Sequence, residues 1–164
     1  MEVFAAVRQA WPADKPMGIR VSATDWIENG WDVADTVVFA KAVEDIGCDY
    51  IHVSSGGISR EQKIVAGLGY QVGFAAAIKA AVKTAVITVG QIHHAYQAES
   101  ILRSGQADMV ALGRALLYDP HWVWHAATDL GEEATYPPQY ERGHPSKWGL
   151  AGLAVAGKSS LAEQ

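Results

Sequence analysis

The sequence predicts an α/β protein with a parallel sheet and helices packed outside it. Three observations carry this. Short apolar, β-branched runs alternate with segments of helical spacing along the first 130 residues. Glycine follows several of the runs and ends several of the helical segments. The runs read as apolar on both faces, the pattern of strands buried in a parallel sheet. The order α-β-α-β-α-β-α-β-α requires a helix between successive strands, so neighbouring strands run parallel.

The elements follow in order. Residues 2–11 have helical spacing, with Val3, Val7 and Ala10 on one face, Phe4 and Trp11 beside it, and Pro12 as the stop. Residues 17–23 read as a buried strand with Arg20 in its middle, and Asn29-Gly30 as a turn. Residues 33–46 read as a helix, with Val37, Val38, Ala40 and Val43 facing inward and Gly47 ending it. A strand over 50–54 leads into a long loop over 58–70. An Ala-rich helix over 72–83, a strand over 85–89 closed by Gly90, and a helix over 95–104 ended by Gly105 come next. A strand over 109–112 meets Gly113-Arg114, then a short helical turn, Asp119-Pro120 and a helix over about 121–130. Residues 131–148 are Pro-rich and polar, and 149–164 are weakly patterned and expected to be a flexible tail.

Composition narrows the function classes. The chain has 164 residues, 49% hydrophobic and 19% charged, and a formal net charge of −5. That length suits one domain with a real core. Without a basic excess, nucleic-acid binding is not expected, and the six Trp read as core and interface residues. No apolar run approaches the roughly 20 residues that span a bilayer. Residues 1–15 lack a secretory h-region, and the single Cys48 allows no intrachain disulfide, so a cytoplasmic protein is expected. No Rossmann or Walker glycine motif is present. Two architectures remain: a small open sheet, or half of a (β/α)8 barrel. A half barrel leaves strand edges and an apolar face that need a partner, either a missing half or a second copy.

In such folds ligands bind at the C-terminal ends of the strands. Gly113-Arg114 is the sharpest feature there. The glycine lets an anion approach the backbone, and the guanidinium can grip phosphate oxygens through two parallel hydrogen bonds. Gly90 closes the neighbouring strand in the same way. The plain alternative is two tight turns and a surface arginine. Arg20 is costly to bury without an anionic or polar partner. A negatively charged cofactor could supply one, or Asp25 or Glu28 could pair with it at the strand end. His121 and His125 are spaced i,i+4 but lack a third ligand, so no metal site is expected. Cys48 reads as a buried small hydrophobe.

Taken together the residues resemble one family. Arg20-Val21-Ser22-Ala23-Thr24-Asp25 looks like the fifth-strand motif of old yellow enzymes. Gly30-Trp31-Asp32, residues 49–56 and Gly69-Tyr70-Gln71 continue the likeness in order. Val89-Gly90-Gln91-Ile92 and residues 108–117 match the seventh and eighth strands, and Asp119-Pro120 with residues 138–143 resemble the C-terminal signature of the thermophilic-like subclass.

The resemblance implies a C-terminal half of a (β/α)8 barrel over 1–148, with about four parallel strands corresponding to the family's fifth to eighth. It implies FMN as cofactor, NADPH or NADH as reductant, and an enone-type small-molecule substrate reduced by hydride transfer. Arg20 would approach the N1/O2 end of the flavin ring, and Gly90, Gly113 and Arg114 would hold its phosphate. Gln91 and Ile92 would line its edge. Arg142 resembles an arginine that contacts substrate across a dimer interface, so a homo-oligomer is implied. The family's substrate-binding pair and proton donor belong to its first four strands and have no counterpart here. No catalytic residue is therefore assigned, and the chain alone is expected to be inactive. The alternative function is a non-catalytic half barrel that binds a phosphorylated ligand or a partner chain.

Overall fold

The computed structural model describes residues 1–144 and 147. Two compact units are distinguished, Met1–Trp122 and Val123 onward. The tail expected over 149–164 lies outside the described residues.

In the first unit, helix α1 (Glu2–Ala10) leads into strand β1 (Gly18–Ser22) and helix α2 (Val33–Asp45). Strand β2 (Tyr50–Ser54), helix α3 (Val72–Lys79), strand β3 (Ala85–Thr88), helix α4 (Ala95–Arg103), strand β4 (Met109–Val110) and helix α5 (Arg114–Tyr118) follow. The strands pair in parallel and in sequence order, β1-β2-β3-β4. A doubly wound sheet reverses its strand order at a switch point; this one never does. An unreversed order is that of a barrel sector, so the open-sheet alternative falls.

Local chemistry sets the helix ends. Asp32 caps α2 by accepting from the amides of Ala34 (2.7 Å) and Asp35 (3.0 Å), while the Asp35 carboxylate accepts from the Asp32 amide (3.2 Å). Gly47, at φ +84°, turns the chain out of α2.

Strand alternation divides the sheet. Ile51, Val53 and Val86 pack with Ala40 and Val43 of α2 and Ala75 and Ile78 of α3 in one buried core, with Ile19 and Val21 beside it. A second cluster joins Val72 to Ile101 and Ala107. The opposite, inner face carries Arg20, His52, Ile87 and Met109 in one register row. It is therefore not the second apolar face that the sequence suggested. Two helical stripes also differ from expectation. Phe4, not Val3 or Val7, buries α1, and Val38 is 70% exposed because it lies across the α2 axis from Ala40 and Val43.

In the second unit, helix α6 (Trp122–Asp129, whose first residue closes the first unit) runs into a coil and a 3-10 helix, Pro138–Gly143. Trp124 stacks at an angle on Tyr136 (4.6 Å) and Tyr140 (5.5 Å). Among the described residues no helix is long and apolar enough to cross a membrane.

Candidate functional site

The loops after β2, β3 and β4 meet around a hollow of about 230 Å³ at the C-terminal ends of the strands. Arg20, Gly90, Gln91, Gly113 and Arg114 all line it. Ser54, Ser55, Tyr70, Gln71 and His93 complete much of the wall. Two guanidiniums and no carboxylate border the space, in a chain of net charge −5. Ligand pockets for drug-sized molecules usually exceed about 300 Å³, so the hollow suits part of a cofactor rather than all of one.

The two glycines differ. Gly90 sits at φ +121°, and a Cβ there would come 2.6 Å from Gln71 Nε2. The chain's own packing therefore requires this glycine. Gly113 has a negative φ, and a Cβ there would meet nothing within 4 Å. Open space beside Arg114 is the room an anionic group needs. Helix α5 is only five residues long, so its dipole adds little. The amides of Arg114 and Ala115 still lack intrahelical acceptors, and the Arg114 side chain is exposed.

Gln71 fixes the geometry of this corner. Its amide donates to the Val89 carbonyl (2.9 Å) and accepts from Ser55 Oγ (2.6 Å), joining the loop after β2 to the end of β3. Beyond Gly90, Gln91 adopts φ +49°. Gln97 of α4 holds this turn by donating to the Gln91 carbonyl (3.2 Å) and accepting from the His93 amide (3.1 Å). The Trp122 indole donates to the His93 carbonyl at 2.7 Å. Gln71 belongs to the Gly69-Tyr70-Gln71 likeness, but no role followed from it, because that role depends on which strand ends become neighbours.

Arg20 is exposed on the inner face, and no ion pair involves it among the described residues. Asp25, one of its expected partners, instead accepts from the Trp31 amide (3.1 Å) to close its own loop. His52, opposite Arg20 in register, has its pKa held below the usual imidazole range by burial and, secondarily, by the Arg20 charge. Arg142 lies exposed on the 3-10 helix of the second unit. Cys48 is buried, its thiol donates to the Tyr50 carbonyl (3.2 Å), and burial pushes its pKa up, so it is no ready nucleophile. Among the described residues no cluster of His, Cys, Asp or Glu could hold a metal ion.

A parallel barrel sector with a cationic hollow at its strand ends defines the class: a (β/α)8-type fold whose ligand end carries two guanidiniums. Residues 1–133 match the NADH:flavin oxidoreductase / NADH oxidase family, and the chain belongs to that family of flavin oxidoreductases. An NADPH dehydrogenase of Geobacillus sp. (strain WCH70) is 44% identical over 142 residues, which are 87% of this chain and 41% of that protein. The chain thus spans 41% of the length of this curated relative. Two solved structures share the fold. A 2-naphthoyl-CoA reductase complex superposes with TM-score 0.68 at 20% identity, covering 80% of this chain and 20% of that one. TcOYE with pHBA superposes with TM-score 0.60 at 21% identity, covering 85% and 35%.

Proposed function

We propose that this chain forms the phosphate-holding side of an FMN site in an NAD(P)H-dependent flavin oxidoreductase of ene-reductase type. The observation that carries the reading is the hollow itself: two arginines, no carboxylate, and an open cradle at Gly113. When bound there, FMN would supply hydride transfer from NAD(P)H to an activated alkene. The chain's residues would bind and orient it. Arg114 and the free amides beside it would grip phosphate oxygens through charge-assisted hydrogen bonds. Gly113 would leave room for them, and Gln71 would hold the Gly90 turn in shape. Arg20, unpaired by any carboxylate, would favour negative charge on the ring system. Gln91 would border the cofactor. Arg142, on an exposed helix, would contact substrate or a second copy. A second copy or an N-terminal barrel half would cover the inner face of the sheet.

Flavin fluorescence provides the test. FMN is expected to bind the purified chain at least tenfold more tightly than riboflavin, which lacks the phosphate. Arg114→Ala should erase most of that difference, because charged hydrogen bonds contribute about 1.5–3 kcal/mol, or roughly 10- to 150-fold. Equal affinity for the two flavins in the wild-type chain would sink the reading. Binding of inorganic phosphate without FMN would favour the non-catalytic phosphate-binding alternative.

A further inference from the structure

His52 is an inner-face polar group for which the proposed cofactor site has no use. The register sets it directly beside Arg20 on β1 and Ile87 on β3, with Met109 beyond. Its Nε2 is buried and has no hydrogen-bond partner. Its neighbours along the face are already committed. Ser22 Oγ donates to the Gly56 carbonyl and Ser54 Oγ to the Val21 carbonyl, both at 2.9 Å. Tyr50 lies over Gly18, where a Cβ would come 2.3 Å from its ring. The charged or titratable groups sharing this face are therefore Arg20 from β1 and Tyr50 from β2. Strand β3 presents only Ala85 and Ile87, and β4 only Met109.

We propose that His52 is a positioning residue for Arg20: a neutral neighbour that leaves the guanidinium uncancelled and takes up a proton from solvent when negative charge arises in the hollow. A carboxylate at this position would neutralise Arg20, and a lysine would repel it. A neutral imidazole does neither. Burial and Arg20 both disfavour the imidazolium, so the resting group is uncharged near neutral pH. An anion beside Arg20 reverses the second of these effects and raises the proton affinity of the orphaned nitrogen. One proton moves from water to His52, no bond forms to the cofactor, and the added positive charge balances the added negative one. This charge response rests on the flavin reading; the Arg20–His52 pairing does not.

Two measurements test the two halves. In an NMR pH titration of the full chain, the His52 imidazole, assigned with His52→Gln, should titrate below the ordinary value of about 6.5. Arg20→Met should move its midpoint upward, and Arg20→Gln provides a second variant. An unmoved midpoint in both overturns the pairing. In the FMN-loaded chain, the flavin's reduction potential should fall more steeply with rising pH than in His52→Gln, from the depressed His52 midpoint upward. Identical slopes overturn the charge response. Failure to bind FMN with the Arg20-dependent shift intact overturns the flavin reading and the charge response together, and upholds the pairing, so the failures are distinguishable.

Discussion

The two ends of the sheet are built on opposite principles. At the N-terminal end, carboxylates staple one strand to the next. Asp49 Oδ2 accepts from the Met17 amide (2.7 Å) and from Arg8 Nη1 (3.4 Å). Glu44 Oε1 accepts from the amides of Lys83 (2.6 Å) and Thr84 (2.7 Å) and from Thr84 Oγ1 (2.9 Å). Asp108 accepts from the Val86 amide (2.8 Å) and Lys79 Nζ (2.6 Å), and its own amide donates back to the Val86 carbonyl (2.9 Å). At the C-terminal end two guanidiniums and, among the described residues, no carboxylate border the hollow. The backbone there turns through left-handed conformations at Gly56, Gly90 and Gln91, and space is left open. Carboxylates of the chain itself hold the lower end, whereas the upper end is the proposed seat of an anion from outside. On the proposed reading, stability and binding are separated along the strand axis, as in barrel folds generally.

The sharpest way to break this comparison is at the two upper glycines. Gly90→Ala should destabilise the chain by about 1–3 kcal/mol, because the methyl group meets Gln71 and the φ of +121° is unfavourable for alanine. Gly113→Ala should leave stability within about 0.5 kcal/mol while weakening FMN binding, since its Cβ enters only the open cradle. Urea midpoints and flavin titrations of both variants make the test. Equal destabilisation of the two would show that the upper end is as tightly packed as the lower.

A smaller effect should come from the staples. Strand β4 is two residues long, and Asp108 is its main tie to β3 and α3. Asp108→Ala should cost about 1 kcal/mol, one exposed ion pair plus one backbone hydrogen bond. FMN affinity should hold within about threefold if the two ends are separable. A stability loss accompanied by an equally large loss of FMN affinity would join them.

Most of the scaffold was legible because its signals are local. The strand over 50–54 and the helices ended by Gly47 and Gly105 need only periodicity and a stop residue. What failed depended on distant partners. The helix over 72–83 ends instead at Lys79, because the Lys83 and Thr84 amides are taken by Glu44, about 40 residues away in sequence. The strand over 109–112 shortens to Met109 and Val110, the two residues in ladder register with β3. Glycines at strand ends could be read directly, whereas Gln71 could not, since its value lies in bridging two loops. The polarity of the inner face was also hidden. The sequence suggests a buried Arg20, but the side chain is exposed on the inner face.

The finest test of the comparison is acid. Lys79, and next the Val86 amide, hold the Asp108 carboxyl below the ordinary carboxylate range. Thr84, chiefly through its amide, does the same for Glu44, against a smaller opposing effect of burial. A carboxylate whose folded pKa is depressed stabilises the fold above its unfolded value, and the contribution fades as pH falls through the folded one. Stability should therefore decline below about pH 4.5, and Asp108→Asn should flatten the lower part of that decline, near and below pH 3.8. Asp108 is exposed and Glu44 half-buried, so the change is small, and urea midpoints between pH 3 and 6 would measure it. An Arg114→Met variant with an altered acid profile would show that the two ends of the sheet are not independent.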